Sequence, residues 1–124
     1  MPASTRSFPC TPEAVRLARN WATTVLREAH TPSATIDDIV LLLSELATNA
    51  VTHARSPFEV TLEINPGVIH TTVRDNNPTM PVVRHPEMTD IGGRGMHLVR
   101  SIATTWGTDP LTNGKNVWFD ISRT

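Results

Sequence analysis

The sequence of 124 residues holds a single cysteine, Cys10, so it can form no internal disulfide and no cysteine-rich zinc site. A lone thiol suits a reducing compartment, and the cytoplasm is the expected location. Long apolar runs are also missing. Nothing approaches the roughly 18 residues that a membrane span needs, and Met1-Pro2-Ala3-Ser4-Thr5-Arg6 lacks the apolar stretch of a signal peptide, so no membrane association is expected. Nor is there an excess of charge of one sign: 11 Lys and Arg against 12 Asp and Glu leave a net charge of -1, and no strong field draws the chain to nucleic acid. Lys115 is the one lysine, a skew towards arginine that by itself carries no chemistry. The five histidines, at 30, 53, 70, 85 and 97, show no paired ligand spacing, which argues against a zinc enzyme. No Gly-x-Ser-x-Gly elbow and no Gly-x-Gly-x-x-Gly occur, and Gly114-Lys115-Asn116 lacks the Ser or Thr that ends a P-loop. Serine hydrolases of the elbow type and the two commonest nucleotide folds are thereby excluded.

What remains is a globular composition, 39% hydrophobic and 19% charged with 10 Pro and 6 Gly, of a length that fits one domain over residues 1–124. There are no repeats and no linker. Thr11 followed by Pro12 predicts a helix start, and Val15, Ala18, Ala22, Val25 and Ala29, widened by Leu17, Trp21 and Leu26, predict an amphipathic helix. After a break at His30-Thr31-Pro32, Thr35 and Asp38 resemble a capping box for a second helix running to about Ala54. Its expected buried stripe is Ile36, Ile39, Val40, Leu43, Leu46, Ala47 and Ala50. The period then changes to two from Phe58 to Ile64. Asn65-Pro66-Gly67 makes a turn, and Val68 to Arg74 reads as the returning strand of a hairpin that delivers Asp75 at its end. Residues 76 to 91 hold three prolines and no period, the pattern of a functional flap. Gly92-Gly93-Arg94-Gly95 leads into a short helix, and two strands close the chain, the last over Val117 to Ile121.

Three features carry chemistry. Glu45 and Asn49 lie one helical turn apart, so both can point into one cleft. Their flanks, Leu41-Leu42-Leu43 and Ala50-Val51, are apolar enough to bury this helix, and polar side chains on it then need partners. An amide oxygen suits Mg²⁺, and a carboxylate beside it can take a proton from a hydroxyl. Asp75, an acceptor-only side chain where a strand meets a loop, can bind an exocyclic amine, although Asp-Asn-Asn-Pro is also ordinary turn chemistry. The glycine-rich run before a helix can bring backbone N–H groups against phosphate with Arg94 as counter-charge, or serve as a hinge.

In order and spacing these pieces resemble the GHKL ATPase superfamily, and within it the bacterial anti-sigma factor serine-protein kinases. Glu45-Leu46-Ala47-Thr48-Asn49-Ala50-Val51-Thr52-His53-Ala54 is similar to the family's N box, and Val73-Arg74-Asp75 to its adenine-side box. Gly92-Gly93-Arg94-Gly95-Met96 resembles its second glycine box, and Gly114-Lys115-Asn116-Val117-Trp118-Phe119 its closing strand. The likeness spans about residues 7 to 121. It implies an α/β (α+β) fold of the Bergerat ATP-binding type, a two-layer sandwich with helices on one face of a mixed, mainly antiparallel sheet. It implies ATP and Mg²⁺ as cofactors, with Asn49 holding the metal, Glu45 as general base, and Asp75, Gly93, Arg94, Gly95, Met96 and Asn116 contacting the nucleotide. Two departures stand out. Asp75-Asn76-Asn77-Pro78-Thr79 replaces the family's Asp-x-Gly-x-Gly, and Asn116 replaces the Thr that supports the adenine-binding Asp, so weaker nucleotide binding is expected.

The function implied by the resemblance is that of an ATP-binding anti-sigma factor with serine/threonine protein kinase activity. It would sequester a sigma factor and phosphorylate an anti-sigma factor antagonist, as a homodimer, with Arg19 of the first helix meeting both partners. The alternative is a nucleotide-gated or nucleotide-free protein-binding regulator without kinase activity. Retention of both Glu45 and Asn49 favours the kinase, because a pure binder needs no base.

Overall fold

The computed structural model describes residues 3–78 and 102–123. Two helices cover one face of a five-stranded sheet in the order β1-β2-β3-β5-β4, and all four pairings among the described residues are antiparallel. The strands are β1 (Ala3–Phe8), β2 (Phe58–Ile64), β3 (Val68–Asp75), β4 (Thr105–Leu111) and β5 (Gly114–Ser122), and the helices are α1 (Pro12–Glu28) and α2 (Ser33–Asn49). This is the expected α+β sandwich.

The hairpin of β2 and β3 forms as the period-two pattern predicts. Phe58, Val60, Leu62 and Ile64 face the helices, and the N–H of Asn65 donates to the Val68 carbonyl (3.0 Å) to close the turn. The first strand was not legible in the sequence. In Ala3–Phe8 only Phe8 is buried, so no alternation marks it, and it is a strand because its backbone pairs with β2 from Ala3↔Glu63 to Phe8↔Phe58. Phe8 stacks on Phe58 (5.4 Å between centroids) and meets the edge of Trp21 at 6.0 Å, which ties this edge strand to α1.

Helix α1 begins after Thr11, as expected, but the hydroxyl of Thr11 makes no capping bond; its carbonyl accepts the N–H of Ala14 (3.1 Å). The buried stripe is rotated relative to the expected one: Ala14, Ala18, Ala22 and Leu26 are fully buried, while Leu17 is exposed. A row of alanines at four-residue spacing lets α1 lie close against its neighbours. The helix stops at His30, whose positive φ of 57° places it in the left-handed region. There the N–H of His30 donates to Arg27 O and that of Thr31 to Leu26 O, so the last carbonyls are satisfied without a glycine.

Helix α2 corrects the capping-box expectation. It starts at Ser33 with Pro32 before it, the N–H of Ile36 reaching Pro32 O (3.0 Å), and Thr35 lies inside the first turn with its side chain in the core. Ile36, Ile39, Leu43, Leu46, Ala47 and Ala50 are buried as expected, joined by Leu42. The helix lies over β3 and β5, while α1 packs on α2 and β1. No helix among the described residues is long and apolar enough to cross a membrane.

The sheet face away from the helices is polar. Thr5 and Thr61 share a hydrogen bond (3.0 Å) across β1 and β2. Asp120 on β5 accepts from His70 Nδ1 (2.6 Å) and from the hydroxyl of Thr105 (2.8 Å). Gly107 on β4 leaves room for the ring of Trp118, which a Cβ there would meet at 2.6 Å. The tightest approach lies at the other end of β5, where a Cβ on Gly114 would stand 2.1 Å from the carbonyl oxygen of Asp75. Gly114→Ala is therefore expected to force β5 off β3 and to cost about 1–3 kcal/mol or more in chemical denaturation, although it touches no core side chain.

Candidate functional site

The site grows from the C-terminal end of α2. After Asn49 the helix widens into a π turn over Ala50–Ala54, and Arg55 reverses the chain with φ 51° and ψ 50°. Such π segments recur where a helix must re-aim side chains at a functional place. The N–H of Ser56 returns to the Ala50 carbonyl (3.1 Å), which folds the chain back under the helix end. Ser56 is buried, and its hydroxyl accepts the backbone N–H of Asn76 (2.8 Å). The side chain of Asn77 adds a longer bond to the Ala54 carbonyl (3.4 Å). These contacts bring the end of α2 against the end of β3, so residues 45–54 and 75–77 share one corner of the sandwich.

Asn49 sits at that corner with both amide atoms, Oδ1 and Nδ2, buried and without a hydrogen-bond partner among the described residues. A buried amide in that condition costs about 1–3 kcal/mol relative to a satisfied or apolar one. Glu45, one turn earlier, is partly exposed on the same side of the helix. An orphaned amide oxygen one turn from a carboxylate fits the donor set of a Mg²⁺ site completed by phosphate oxygens.

Asp75 is buried at 5% exposure, and its carboxylate is already engaged. Lys115, equally buried, directs its ammonium at Oδ2 (3.0 Å) and Oδ1 (3.1 Å) and donates also to the Asn77 carbonyl (2.9 Å). Oδ1 accepts in addition the N–H of Asn77 (2.9 Å). A lysine and an aspartate with so little exposure persist only because each neutralises the other.

Lys115 was missed in the sequence, where Asn116 was expected to support Asp75. Register decides the matter: Asp75 pairs with Lys115 and Arg74 with Asn116, so Asn116 belongs to the opposite face of the sheet. Its Oδ1 is buried there without a hydrogen-bond partner among the described residues. The signal that could have found Lys115 was the lone lysine directly after a glycine at the start of the last strand. Of the remaining expected site residues, Gly93, Arg94, Gly95 and Met96 lie outside the described residues, as does the expected flap beyond Pro78. Arg19 is exposed on α1.

The sequence matches the histidine kinase-like ATPase domain family over residues 8–120. None of the curated proteins compared with it matches. Among solved structures, the chain superposes over its whole length on the structure of the RsbU and RsbW domains of Rv1364c from Mycobacterium tuberculosis, with a TM-score of 0.76 and 19% identity, covering 34% of that chain. The histidine kinase domain of the blue-light activated histidine kinase from Erythrobacter litoralis EL346 aligns with 74% of the chain at a TM-score of 0.55 and 24% identity, covering 46% of that chain. The chain thus spans less than half the length of either, and at these identities the likeness is one of fold.

Two stability measurements test the geometry. Asn49→Leu removes the orphaned amide at similar size and should leave the unfolding free energy unchanged or raise it by about 1–3 kcal/mol; a clear loss would mean that the amide has a structural partner. Lys115→Met leaves Asp75 buried without its counter-charge and should cost about 3–5 kcal/mol, most of it recovered in the double variant Asp75→Leu/Lys115→Met.

Proposed function

Because the chain belongs to the histidine kinase-like ATPase domain family, we propose that it binds Mg-ATP at the corner between α2 and β3 and acts as an anti-sigma factor with serine/threonine protein kinase activity. In this reading it sequesters a sigma factor as a homodimer in the cytoplasm and phosphorylates an antagonist protein. The observation that carries the proposal is Asn49, a buried amide with no hydrogen-bond partner among the described residues on the helix whose residues 45–54 resemble the N box of anti-sigma factor kinases. A protein keeps such a group at a cost in stability where a ligand completes it.

Asn49 Oδ1 is the atom that would hold Mg²⁺, and the ion, when bound, supplies positive charge against the phosphate oxygens. Glu45 stands one turn away and is partly exposed, so a hydroxyl of a docked protein can reach it. Its carboxylate takes the proton of the Ser or Thr hydroxyl as that oxygen bonds to the terminal phosphorus and the bridging bond to ADP breaks. Asp75 lies beyond the end of α2 and marks the base end of the site. Gly93, Arg94, Gly95 and Met96 are assigned to the phosphates by the family resemblance. Arg19, exposed on α1, has a guanidinium free to make paired hydrogen bonds to a carboxylate of a partner.

A second reading, a protein-binding regulator without kinase activity, draws on the Asp75 carboxylate, which the Lys115 ammonium already engages. Three variants test the roles assigned here. Asn49→Ala should abolish Mg²⁺-dependent ATP binding in titration calorimetry, and unchanged affinity would refute the site. Glu45→Ala should keep ATP and both protein partners yet lose transfer of labelled phosphate to the antagonist. Arg19→Ala should keep ATP binding and melting temperature while partner affinity falls several-fold to a few hundred-fold, on the order of 1–3 kcal/mol. A wild-type protein that binds its partners and transfers no phosphate would establish the second reading.

A further inference from the structure

The ion pair of Asp75 and Lys115 is not needed to join its two strands. The pairing of β3 with β5 runs unbroken from Val68↔Ser122 to Asp75↔Lys115, and Gly114 lies against the Asp75 backbone with no room for a side chain. Apolar residues of similar volume commonly do as well as a buried ion pair in such a place. The pair also differs from a lone carboxylate in what it offers a ligand. A lone aspartate only accepts, so it binds an exocyclic amine and repels a carbonyl. With an ammonium 3.0 Å away, the same spot presents an acceptor and a donor side by side.

Resting on the reading that Asp75 marks the base end of a nucleotide site, we propose that Lys115 determines base specificity. Paired with Asp75, it admits purine nucleotides that carry a carbonyl where adenine carries its amine. Adenine and guanine differ at that edge in the sense of their hydrogen bonds, adenine offering an amine donor and guanine a carbonyl acceptor. The carboxylate of Asp75 accepts the first, and the ammonium of Lys115 donates to the second. The donor is at hand without breaking the pair. One of the three ammonium protons is held by the carbonyl of Asn77, a partly exposed residue just past the end of β3, and can pass from there to a base carbonyl while the contacts to Asp75 persist. The Asn77 N–H on Oδ1 fixes the carboxylate in place, leaving Oδ2 as the oxygen with a lone pair to spare for an amine. Adenine selectivity is therefore low in this chain, and the lysine is the cause.

Titration calorimetry of the full chain with ATP, GTP and ITP, each with Mg²⁺, tests the inference. The wild-type protein should bind GTP and ITP within about tenfold of ATP, a difference of about 1.4 kcal/mol or less. Lys115→Thr, which keeps a hydroxyl against Asp75 and removes the ammonium, should widen the ratio of ATP to GTP affinity by about tenfold or more, chiefly through loss of GTP. Lys115→Arg, which retains a cationic donor, should hold the wild-type ratio. A wild-type preference for ATP beyond tenfold, or a ratio unmoved in a Lys115→Thr protein that still binds ATP, overturns the role of Lys115 and leaves the ATP site intact. If no nucleotide binds the wild-type protein, the site reading and this inference fall together. Should Lys115→Thr not fold, as judged by its thermal transition, the wild-type and Lys115→Arg ratios decide the question.

Discussion

Between residue 114 and the carbonyl of Asp75 there is room for a hydrogen atom and no more, and the candidate site depends on that approach. It lets the first residues of β5 run beside the last residues of β3, which sets Lys115 opposite Asp75 and leaves Asn116 on the other face. It also fixes where β3 ends. From there the N–H of Asn76 reaches Ser56, and Ser56 holds the chain that has just left the π turn after α2. Three segments distant in sequence meet there through backbone groups, the Ser56 hydroxyl, the Asn77 amide and the ion pair of Lys115 with Asp75.

This corner is built against the ordinary rules of stability. Elsewhere the sandwich is conventional, with Phe119, Leu26, Ile39, Leu42 and Leu43 fully buried between the helices and the sheet. At the corner an amide is buried without a partner among the described residues, a lysine and an aspartate are buried against each other, and a helix ends in a π turn followed by a left-handed arginine. Each of these is unfavourable alone. Their coincidence within one short stretch of space is what makes this corner the candidate site, since local rules are broken most often where function requires it.

The two faces of the sheet divide the work. The face under the helices supplies the core and holds Asp75 and Lys115 at its end, whereas the opposite face carries Thr5, Thr61, His70, Thr105, Trp118 and Asp120 in a polar, hydrogen-bonded surface. Alternation along β3 and β5 assigns residues to one or the other, so a single residue step separates a site group from a surface group.

The sequence by itself determined the elements whose periods are strong. Alanines and valines at three- and four-residue spacing marked α1, the stripe from Ile36 to Ala50 marked α2, and the alternation from Phe58 with the turn at Asn65-Pro66-Gly67 marked the hairpin that ends in Asp75. Helical spacing likewise set Glu45 and Asn49 on one side of α2, because that relation is local. Tertiary structure alone decided the rest. Strand β1 has no periodic signal and exists through its pairing with β2. The start of α2 was settled by Pro32 and the burial of Thr35 rather than by a capping pattern. The alternation of Val117, Phe119 and Ile121 with Asn116, Trp118 and Asp120 assigns Lys115 to the core face, but that it stands directly opposite Asp75 is decided by the pairing of two strands far apart in sequence, where a slip would change every neighbour.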